Sequence, residues 1–270
     1  LGGALQAMDC QMIKPILIGI RSKIAQSAST ISYPLEKLDI IDAASEVEAA
    51  QIAVDLVHSN KAKAIMKGSL HTDNLLRPIV AKTGLRTNRR ISHVFMMAVP
   101  NYPTPLLITD AAINIAPDLK IKSDIIQNAV DLFNLLDFGP AKVAIVSATE
   151  MIDPNIETTI EAAALCKMAE RGQIVDAILE GPLSFDCAVS AEAAEAKKIK
   201  NPVAGQANII HVPNIESGNI VYKQMSYLSN IESAGIVLGA KVPIILTSRA
   251  ANAGITRICS CALAQILASG

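Results

Sequence analysis

Hydrophobic and polar positions follow two alternating patterns along this chain. Short apolar runs of strand length, such as KVAIVS, alternate with longer stretches in which apolar residues recur at helical spacing, such as DAASEVEAAQIAVDLVHSN. Asp42 begins the second of these stretches and is expected to cap its helix. Strand–helix alternation predicts parallel pairing with right-handed crossovers, whereas ISHVFMMAVP and TPLLITDAAI predict an antiparallel hairpin. The pattern therefore predicts an α/β fold.

The rhythm of the elements changes once along the chain. After Gly139 and Pro140 strands and helices follow one another regularly, which predicts a domain boundary at this point. We expect a first α/β domain formed by residues 1–138 together with 251–270. The second α/β domain is then formed by residues 139–250, with a cleft between the two.

The composition agrees with an α/β fold and limits the classes of binding partner. The chain has 270 residues, of which 51% are hydrophobic and only 3% aromatic, so its core is built mainly from Ala, Ile, Val and Leu, as in a helix-covered parallel sheet. No uninterrupted apolar stretch approaches the roughly 20 residues that span a bilayer. The formal net charge of −1 gives no overall attraction to nucleic acid or to a membrane surface.

The cysteines and the amino terminus bear on localisation. Five cysteines are an odd number, and their spacing is not that of a disulfide framework, which favours buried free thiols in a cytoplasmic protein. The opening LGGALQAMDC lacks the basic region and long apolar core of a signal peptide. It reads as the interior of a helix, so we expect further residues upstream.

The stretch KGSLHTDNLLR, residues 67–77, is the first candidate site. A strand ends at Gly68, and Ser69 and Thr72 lead into a helix whose free N–H groups and dipole favour a phosphate. Arg77 lies five residues after Thr72 and reaches the same place only if the first helical turn is tight. Ordinary helix capping by Thr72 or Asp73 explains the stretch equally well.

A cluster of arginines is the second candidate. GLRTNRRISHVF contains Arg86, Arg89 and Arg90, three guanidinium groups that can bind a polyphosphate through charge-assisted hydrogen bonds. A solvated loop beside an edge strand is the alternative. His93 alternates with apolar residues and is weak evidence for a site.

Two further stretches carry polar residues near predicted strand ends. In LEGPLSFDCAVSAEAA, Gly181 and Pro182 are expected to end a buried strand, and Asp186 either orients a substrate or supports the turn before a helix that Ser190 caps. Spacing alone favours the structural role for Asp186. Asn219 follows a glycine inside a predicted helix, where a glycine costs about 1 kcal/mol and indicates close packing or a ligand.

The stretch KVPIILTSRAANAGITRI is the fifth candidate. A buried apolar strand ends on Thr247, Ser248 and Arg249, and open α/β sheets bind ligands at such ends. No G-x-S-x-G elbow surrounds Ser248, so its hydroxyl is better suited to donate to developing charge while Arg249 stabilises an anion. Capping of the last helix by Thr247 and Ser248 is the alternative.

Several motifs are absent from the sequence. It contains no G-x-G-x-x-G fingerprint, no P-loop and no Cys/His cluster with metal spacing. Nicotinamide-dependent, ATP-hydrolysing and zinc enzymes are therefore disfavoured, and no metal site is expected.

Taken together, six stretches resemble the phosphate acetyltransferase/phosphate butyryltransferase family. The resemblance extends over nearly the whole chain and is greatest to the phosphotransacetylase part of bifunctional enoyl-CoA hydratase/phosphate acetyltransferases, without the hydratase. The stretches that carry it are GLRTNRRISHVF, ITDAAINIAPDLK, AALCKMAERGQI, EGPLSFDCAVSAEAA, PVAGQANIIHVPNIESGN and AGIVLGAKVPIILTSRA.

This resemblance implies reversible transfer of an acetyl or butyryl group between CoA and inorganic phosphate. It implies an isocitrate/isopropylmalate dehydrogenase-like two-domain fold, a homodimer, and no cofactor beyond the substrates acyl-CoA and phosphate. By resemblance, Ser248 hydrogen-bonds the acyl carbonyl or the thiol, Arg249 stabilises the charged transition state and Arg77 binds phosphate. The expected substrate-binding residues are Ser69, Thr72, Arg86, Asp186 and Asn219.

The sequence departs from the family pattern after the Ser-Arg pair. Relatives often carry an acidic residue there, but this chain has Ala251 and Asn252, neither of which accepts a proton from the CoA thiol. Phosphate or another side chain then acts as the base. One alternative is a catalytically weak or inactive protein that binds CoA or acyl phosphate. The other is a dehydrogenase of the same fold, but this sequence lacks the acidic metal-binding cluster expected of such an enzyme.

Overall fold

In the computed structural model, residues 1–229, 231–247 and 253–269 of the chain are described. The chain divides into two compact units, the first formed by Leu1–Arg89 with Ala234–Gly270 and the second by Arg90–Ser233. These bounds differ from the expected domains, 1–138 with 251–270 and 139–250. No helix among the described residues is both long enough and apolar enough to cross a bilayer.

The first unit begins with small parallel pairings and helices. Strands β1 and β2 pair in parallel. The elements in chain order are α1 (Gly2–Asp9), β1 (Ile16–Gly19), α2 (Arg21–Thr30), a short 3-10 helix (Leu35–Lys37), β2 (Asp39–Asp42), α3 (Glu46–His58), β3 (Ile65–Met66) and α4 (Thr72–Val80).

Helix α3 is capped by Ser45 and not by Asp42. The Ser45 hydroxyl accepts from the Glu48 N–H at 3.2 Å, and the Glu48 carboxylate accepts in return from the Ala44 N–H at 2.6 Å. This reciprocal arrangement satisfies two backbone donors at the helix start. Asp42 ends β2, where its carboxylate accepts from the Arg21 N–H at 2.9 Å, so the prediction for Asp42 was wrong.

The second unit is a sheet in the order β4-β5-β8-β6-β7 with helices packed against it. Strands β4 and β5 form the predicted antiparallel hairpin, and β5, β8, β6 and β7 run parallel. The elements are β4 (Ser92–Ala98), β5 (Leu106–Thr109), α5 (Leu119–Leu135), β6 (Ala141–Val146), α6 (Glu157–Glu170), β7 (Ala177–Leu183), α7 (Phe185–Val189), α8 (Ala191–Ala196), β8 (Ile209–His211) and α9 (Ile215–Leu228).

This pairing explains why the second unit starts before Gly139. The hairpin is joined to the parallel strands through β5 and β8, and α5 packs on β4, β5 and β6, so residues before and after the expected boundary share one core. Strand β7 lies at the end of this order and runs through Gly181 and Pro182 to Leu183. The prediction that those two residues end a buried strand was therefore wrong, since proline is tolerated on an edge strand.

The chain then returns to the first unit. Strand β10 pairs in parallel with β3 and antiparallel with β9, and α10 packs against α1 and β10. The last elements are β9 (Glu232–Leu238), β10 (Ile244–Ile245) and α10 (Ala253–Ser269).

Candidate active site

Two strands of the first unit end side by side. Strands β3 and β10 are parallel, with Ile65 opposite Ile244 and Met66 opposite Ile245. Pairing continues one step further, because the Lys67 N–H donates to the Ile245 carbonyl at 2.9 Å. Since both strands run in the same direction, the segments that follow them leave the sheet at the same edge. They begin with Lys67–Ser69 of the first candidate stretch and with residues 246–247 of the fifth, at the kind of edge where α/β sheets bind ligands.

Four residues of the predicted site lie outside the described part of the chain. They are Ser248 and Arg249, with Ala251 and Asn252 shortly after them. The description ends at Thr247, which is half-buried, and resumes at the start of α10. The roles predicted for Ser248 and Arg249 therefore remain predictions.

Gly68 is an exposed residue at this edge. A Cβ atom built on Gly68 meets no atom of the described residues within 4 Å, and the residue is not in the left-handed region that favours glycine. Neither packing against described residues nor backbone conformation requires a glycine here. The main chain at Gly68 is therefore free of contacts from described side chains at this position.

Lys67 is a residue of this edge that the sequence reasoning did not select. Its N–H is fixed by β10, its side chain is half-buried, and Nζ lies 3.5 Å from the Gly68 carbonyl oxygen. The signal was available, since Lys67 is a cation at the end of a predicted strand and directly precedes Gly68. The strand pairing adds that this cation lies beside the end of β10.

The amino terminus of α4 holds a carboxylate of the same unit. The Glu46 carboxylate accepts from the His71 N–H at 3.2 Å and from Asn74 Nδ2 at 2.9 Å. The Asn74 amide, followed by the His71 N–H, lowers the pKa of Glu46. His71 is the N-cap without a side-chain capping bond, so the alternative of capping by Thr72 or Asp73 was wrong. Glu46 supplies an anion where a phosphate was expected.

Ser69 and Arg77 lie on either side of this helix start. Ser69 is exposed in the turn between β3 and α4, and Thr72 is the half-buried first residue of α4. Arg77 is exposed in the last turn, five residues after Thr72, or about 7.5 Å further along the axis at about 1.5 Å per residue. The predicted contacts of these three residues with substrate remain predictions.

The predicted arginine cluster is divided between different surroundings. Arg86, in the first unit, is exposed and forms an isolated antiparallel bridge with Ala240. Arg90 begins the second unit, where its Nε donates to Asn114 Oδ1 at 3.1 Å and its N–H to Asp124 Oδ2 at 2.9 Å. Arg90 is therefore engaged in holding its own unit, and the proposal for substrate contact rests on Arg86.

Asp186 belongs to a network of hydrogen bonds and ion pairs in the second unit. Lys197 Nζ lies 2.9 Å from Glu150 Oε1, 3.2 Å from Asp186 Oδ2 and 3.1 Å from Ser184 Oγ, and the Ser184 hydroxyl also donates to Glu150. The Ser184 hydroxyl and the Lys197 ammonium lower the pKa of Glu150 to about 2 and also lower that of Asp186. The carboxylates in turn raise the pKa of Lys197. We call these four residues the Lys197 cluster.

The same place contains the one group of possible metal ligands among the described residues. Ligand atoms of Glu150, Asp186 and Cys187 lie within 4.8 Å of one another. The Lys197 ammonium already contacts both carboxylates, so their charge is compensated by a protein cation. Nothing in this geometry points to a metal.

Asn219 lies at a close contact between α9 and the end of β5. Its amide donates to the Ala111 carbonyl at 3.2 Å. A Cβ on the preceding Gly218 would come within 2.9 Å of the Asp110 carbonyl oxygen and 2.7 Å of Val212 Cγ2. Close packing thus accounts for the glycine inside the helix, and substrate contact by Asn219 remains a prediction.

Asp110 is a second residue that the sequence reasoning did not select. It is buried directly after β5, and its carboxylate accepts from the N–H groups of Ala112, Ile113 and Asn114 at 2.9–3.2 Å. The Asn114 amide donates to it as well, at 2.6 Å. Through these hydrogen bonds the Asp110 carboxylate stabilises the turn after β5.

Comparison with known proteins identifies relatives of this chain. A sequence profile described as phosphate acetyl/butaryl transferase matches residues 44–263. A phosphate acetyltransferase of Rhizobium meliloti is 50% identical over 270 residues, covering 100% of this chain and 85% of that protein. A phosphate butyryltransferase of Clostridium acetobutylicum is 39% identical over 254 residues, covering 94% of this chain and 84% of that protein.

Among solved structures, a branched-chain phosphotransacylase from Enterococcus faecalis V583 superposes with a TM-score of 0.80. It is 27% identical, and the match covers 94% of this chain and 99% of that one. The mixed α/β architecture with its parallel-rich sheet is therefore shared with that structure.

Proposed function

We propose that acyl transfer takes place where β3 and β10 end. The chain belongs to the phosphate acetyltransferase/phosphate butyryltransferase family, and it therefore transfers a short acyl group between CoA and inorganic phosphate. The observation that carries this proposal is the parallel pairing of the two strands. It brings Lys67 and Thr247 to one edge of the sheet, although the whole of the second unit lies between them along the chain, and Ser248 and Arg249 follow Thr247 directly in the sequence.

The chemistry needs anion binding and stabilisation of developing negative charge. A phosphate oxygen attacks the thioester carbonyl, the C–S bond breaks, and charge develops on the carbonyl oxygen and the sulfur. In this proposal Arg249 stabilises that charge, Ser248 donates to the carbonyl oxygen or the sulfur, and Arg77 binds phosphate. Positioning and charge stabilisation are the main contributions, since phosphate reacts poorly until it is held and oriented.

Lys67 adds a cation to this assignment. Its backbone is held against β10, and Gly68 beside it leaves the main chain accessible. The anion at the start of α4 is Glu46, so a phosphate is better placed at the strand ends than at that helix terminus. We therefore assign to the Lys67 ammonium a contact with phosphate oxygen.

The proton balance needs no carboxylate at residues 251 and 252. Attack by the phosphate dianion, HPO₄²⁻, on acyl-CoA gives the acyl phosphate dianion and CoA thiol. The proton of phosphate thus ends on sulfur, and phosphate itself fills the role that Ala251 and Asn252 cannot take. In the reverse direction the thiol proton returns to phosphate.

Further expectations from the sequence belong to the same proposal. They are an isocitrate/isopropylmalate dehydrogenase-like arrangement with a cleft between two domains, a cytoplasmic location, the absence of a cofactor, and substrate contacts by Ser69, Thr72, Arg86 and Asn219. Asp186 was also expected to bind substrate, but because it pairs with Lys197 we assign it a structural role. A homodimer is supported by strongly exposed apolar side chains of the second unit, including Ile115, Met151 and Ile152. Light scattering after gel filtration tests it, and a monomer at micromolar concentration contradicts it.

The acyl chain is the least determined part of the substrate. Acetyl and butyryl groups differ by two methylenes, worth about 1.6 kcal/mol of burial at about 0.8 kcal/mol each. Such a difference is set by small changes in pocket depth. Both acyl groups are therefore included in the test.

The experiment measures free thiol and acyl phosphate from acetyl-CoA, propionyl-CoA and butyryl-CoA, with and without inorganic phosphate. Phosphate-dependent release of thiol in equal amount with acyl phosphate is the expected result. Folded protein that binds CoA without turnover would instead favour the inactive binding protein that Ala251 and Asn252 suggested. Absorbance changes with NAD and hydroxy acids would favour a dehydrogenase.

A further inference from the structure

A small cavity lies at the carboxyl ends of β6 and β8 in the second unit. The centre of a water-sized molecule can occupy about 10 Å³ of it, which is about the space that one water requires. Polar side chains from β8 and from the facing helices α5 and α6 line part of its wall. Its lining includes Lys122, Thr158, Glu161, Leu165, His211 and Pro213.

His211 is the side chain that requires a partner in this cavity. The residue is 1% exposed, and the backbone of Thr109 lies close to its ring, but neither Nδ1 nor Nε2 forms a hydrogen bond of good geometry within the described part of the chain. A neutral imidazole offers one donor and one acceptor, and buried groups of this kind are almost always satisfied. Burial, followed by the charge of Lys122, lowers the pKa of His211 to about 3, so the ring is neutral near pH 7.

The other polar groups of the cavity balance one another in charge. Lys122 on α5 forms an ion pair with Glu161 on α6, and both side chains are largely buried. Thr158, three residues before Glu161, is hydrogen-bonded to Ser147 at 2.6 Å. One cation, one anion and a neutral ring give no net charge, so the cavity suits an uncharged molecule that both donates and accepts.

We propose that this cavity is an internal solvent site, in which one ordered water molecule bonds to His211 and joins it to the Lys122–Glu161 pair. The size of the cavity, its neutral charge balance and the lack of a well-formed hydrogen bond at either ring nitrogen all fit water. The site ties the ends of β6 and β8 to α5 and α6. It belongs to the second unit and does not depend on the function proposed for the β3/β10 edge.

The first test observes His211 in the wild-type protein by NMR with ¹⁵N-labelled histidine. The expected result is one neutral tautomer between pH 5 and 8, with cross-relaxation between its ring protons and a long-lived water. Absence of a water contact overturns the proposal. A shift of the His211 resonances on titration with inorganic phosphate also overturns it, since it would indicate an anion site.

The second test uses the sign of a stability change. If the cavity is dry, His211→Leu removes an unsatisfied imidazole, and Tm rises or stays constant. If a water bridges the network, His211→Leu takes away its partner, and Tm falls by about 2–4 °C or more. His211→Gln keeps a donor and an acceptor, so a smaller decrease is expected. Equal Tm for wild type and His211→Leu contradicts the proposal, and the NMR measurement decides if a variant fails to fold.

Discussion

Two regions with similar sequence patterns, the β3/β10 edge and the Lys197 cluster, have different surroundings. In both, polar residues follow a strand: Ser69 follows β3, and Asp186 follows β7. Around Asp186 a hydroxyl, a second carboxylate and an ammonium satisfy one another. At Gly68 no atom of the described residues lies within 4 Å of the position that a Cβ would take. We therefore expect substrate contacts at the β3/β10 edge and a structural role for Asp186.

The largest expected effect concerns Arg249. Arg249→Ala removes the cation assigned to the developing charge, and turnover should fall by about a hundredfold or more, the scale of losing one charge-stabilising donor. Initial rates of phosphate-dependent thiol release measure it. Arg171→Ala, which changes an exposed arginine after α6, is the control and should keep wild-type turnover. An unchanged rate in Arg249→Ala would refute the role assigned to that residue.

A smaller effect is expected for Lys67. Lys67→Met keeps the length of the side chain but removes its charge, so the KM for phosphate should rise about tenfold, equivalent to about 1.4 kcal/mol. The KM for acyl-CoA should change much less. Lys67→Arg should recover part of the loss, and Lys82→Met, at an exposed lysine of the same unit, is the control and should keep the wild-type KM. Equal KM values in Lys67→Met and wild type would remove Lys67 from the site.

The Lys197 cluster is expected to affect stability more than catalysis. Asp186→Asn weakens its contact with Lys197, so Tm should decrease slightly while kcat/KM stays within about twofold of wild type. Differential scanning calorimetry and the thiol assay measure the two quantities. A large rise in KM with unchanged Tm would instead support the prediction that Asp186 binds substrate.

The pH dependence of stability gives a second test of the structural role of the Lys197 cluster. The pKa of Glu150 is lowered from 4.5 to about 2 in the folded protein, so its contribution to stability is present above about pH 4.5 and is lost as pH falls toward 2. The Tm of wild type should therefore decrease more over this interval than the Tm of Glu150→Gln. Parallel curves for the two proteins would show that the cluster adds no pH-dependent stability. Added salt should reduce the difference, because Lys197 is partly exposed.

Local sequence patterns predicted most elements of the fold. The hairpin of β4 and β5 is confirmed, as is the capping of α8 by Ser190, whose hydroxyl accepts from the Ala193 N–H at 3.2 Å. Both depend on neighbours along the chain. The start of α4 was missed because the carboxylate that serves His71 comes from Glu46, 25 residues away, and no local spacing reveals such a partner.

The candidate site was predictable only in its parts. The residue types that follow β3 and β10 in the sequence indicated anion chemistry, but the strands themselves belong to two separate segments of the chain, and only their pairing brings them together. Asp186 and Asn219 were selected by the same local reasoning, yet the structure gives each a protein partner in Lys197 and Ala111. Local sequence patterns do not predict strand pairings or side-chain partners that are distant along the chain.

The most direct test compares phosphate titrations of thiol release for wild type, Lys67→Met and Asp186→Asn. If the β3/β10 edge holds phosphate, the KM for phosphate rises about tenfold in Lys67→Met and stays near the wild-type value in Asp186→Asn. The opposite pattern, a raised KM in Asp186→Asn alone, would contradict the placement of the reaction at that edge.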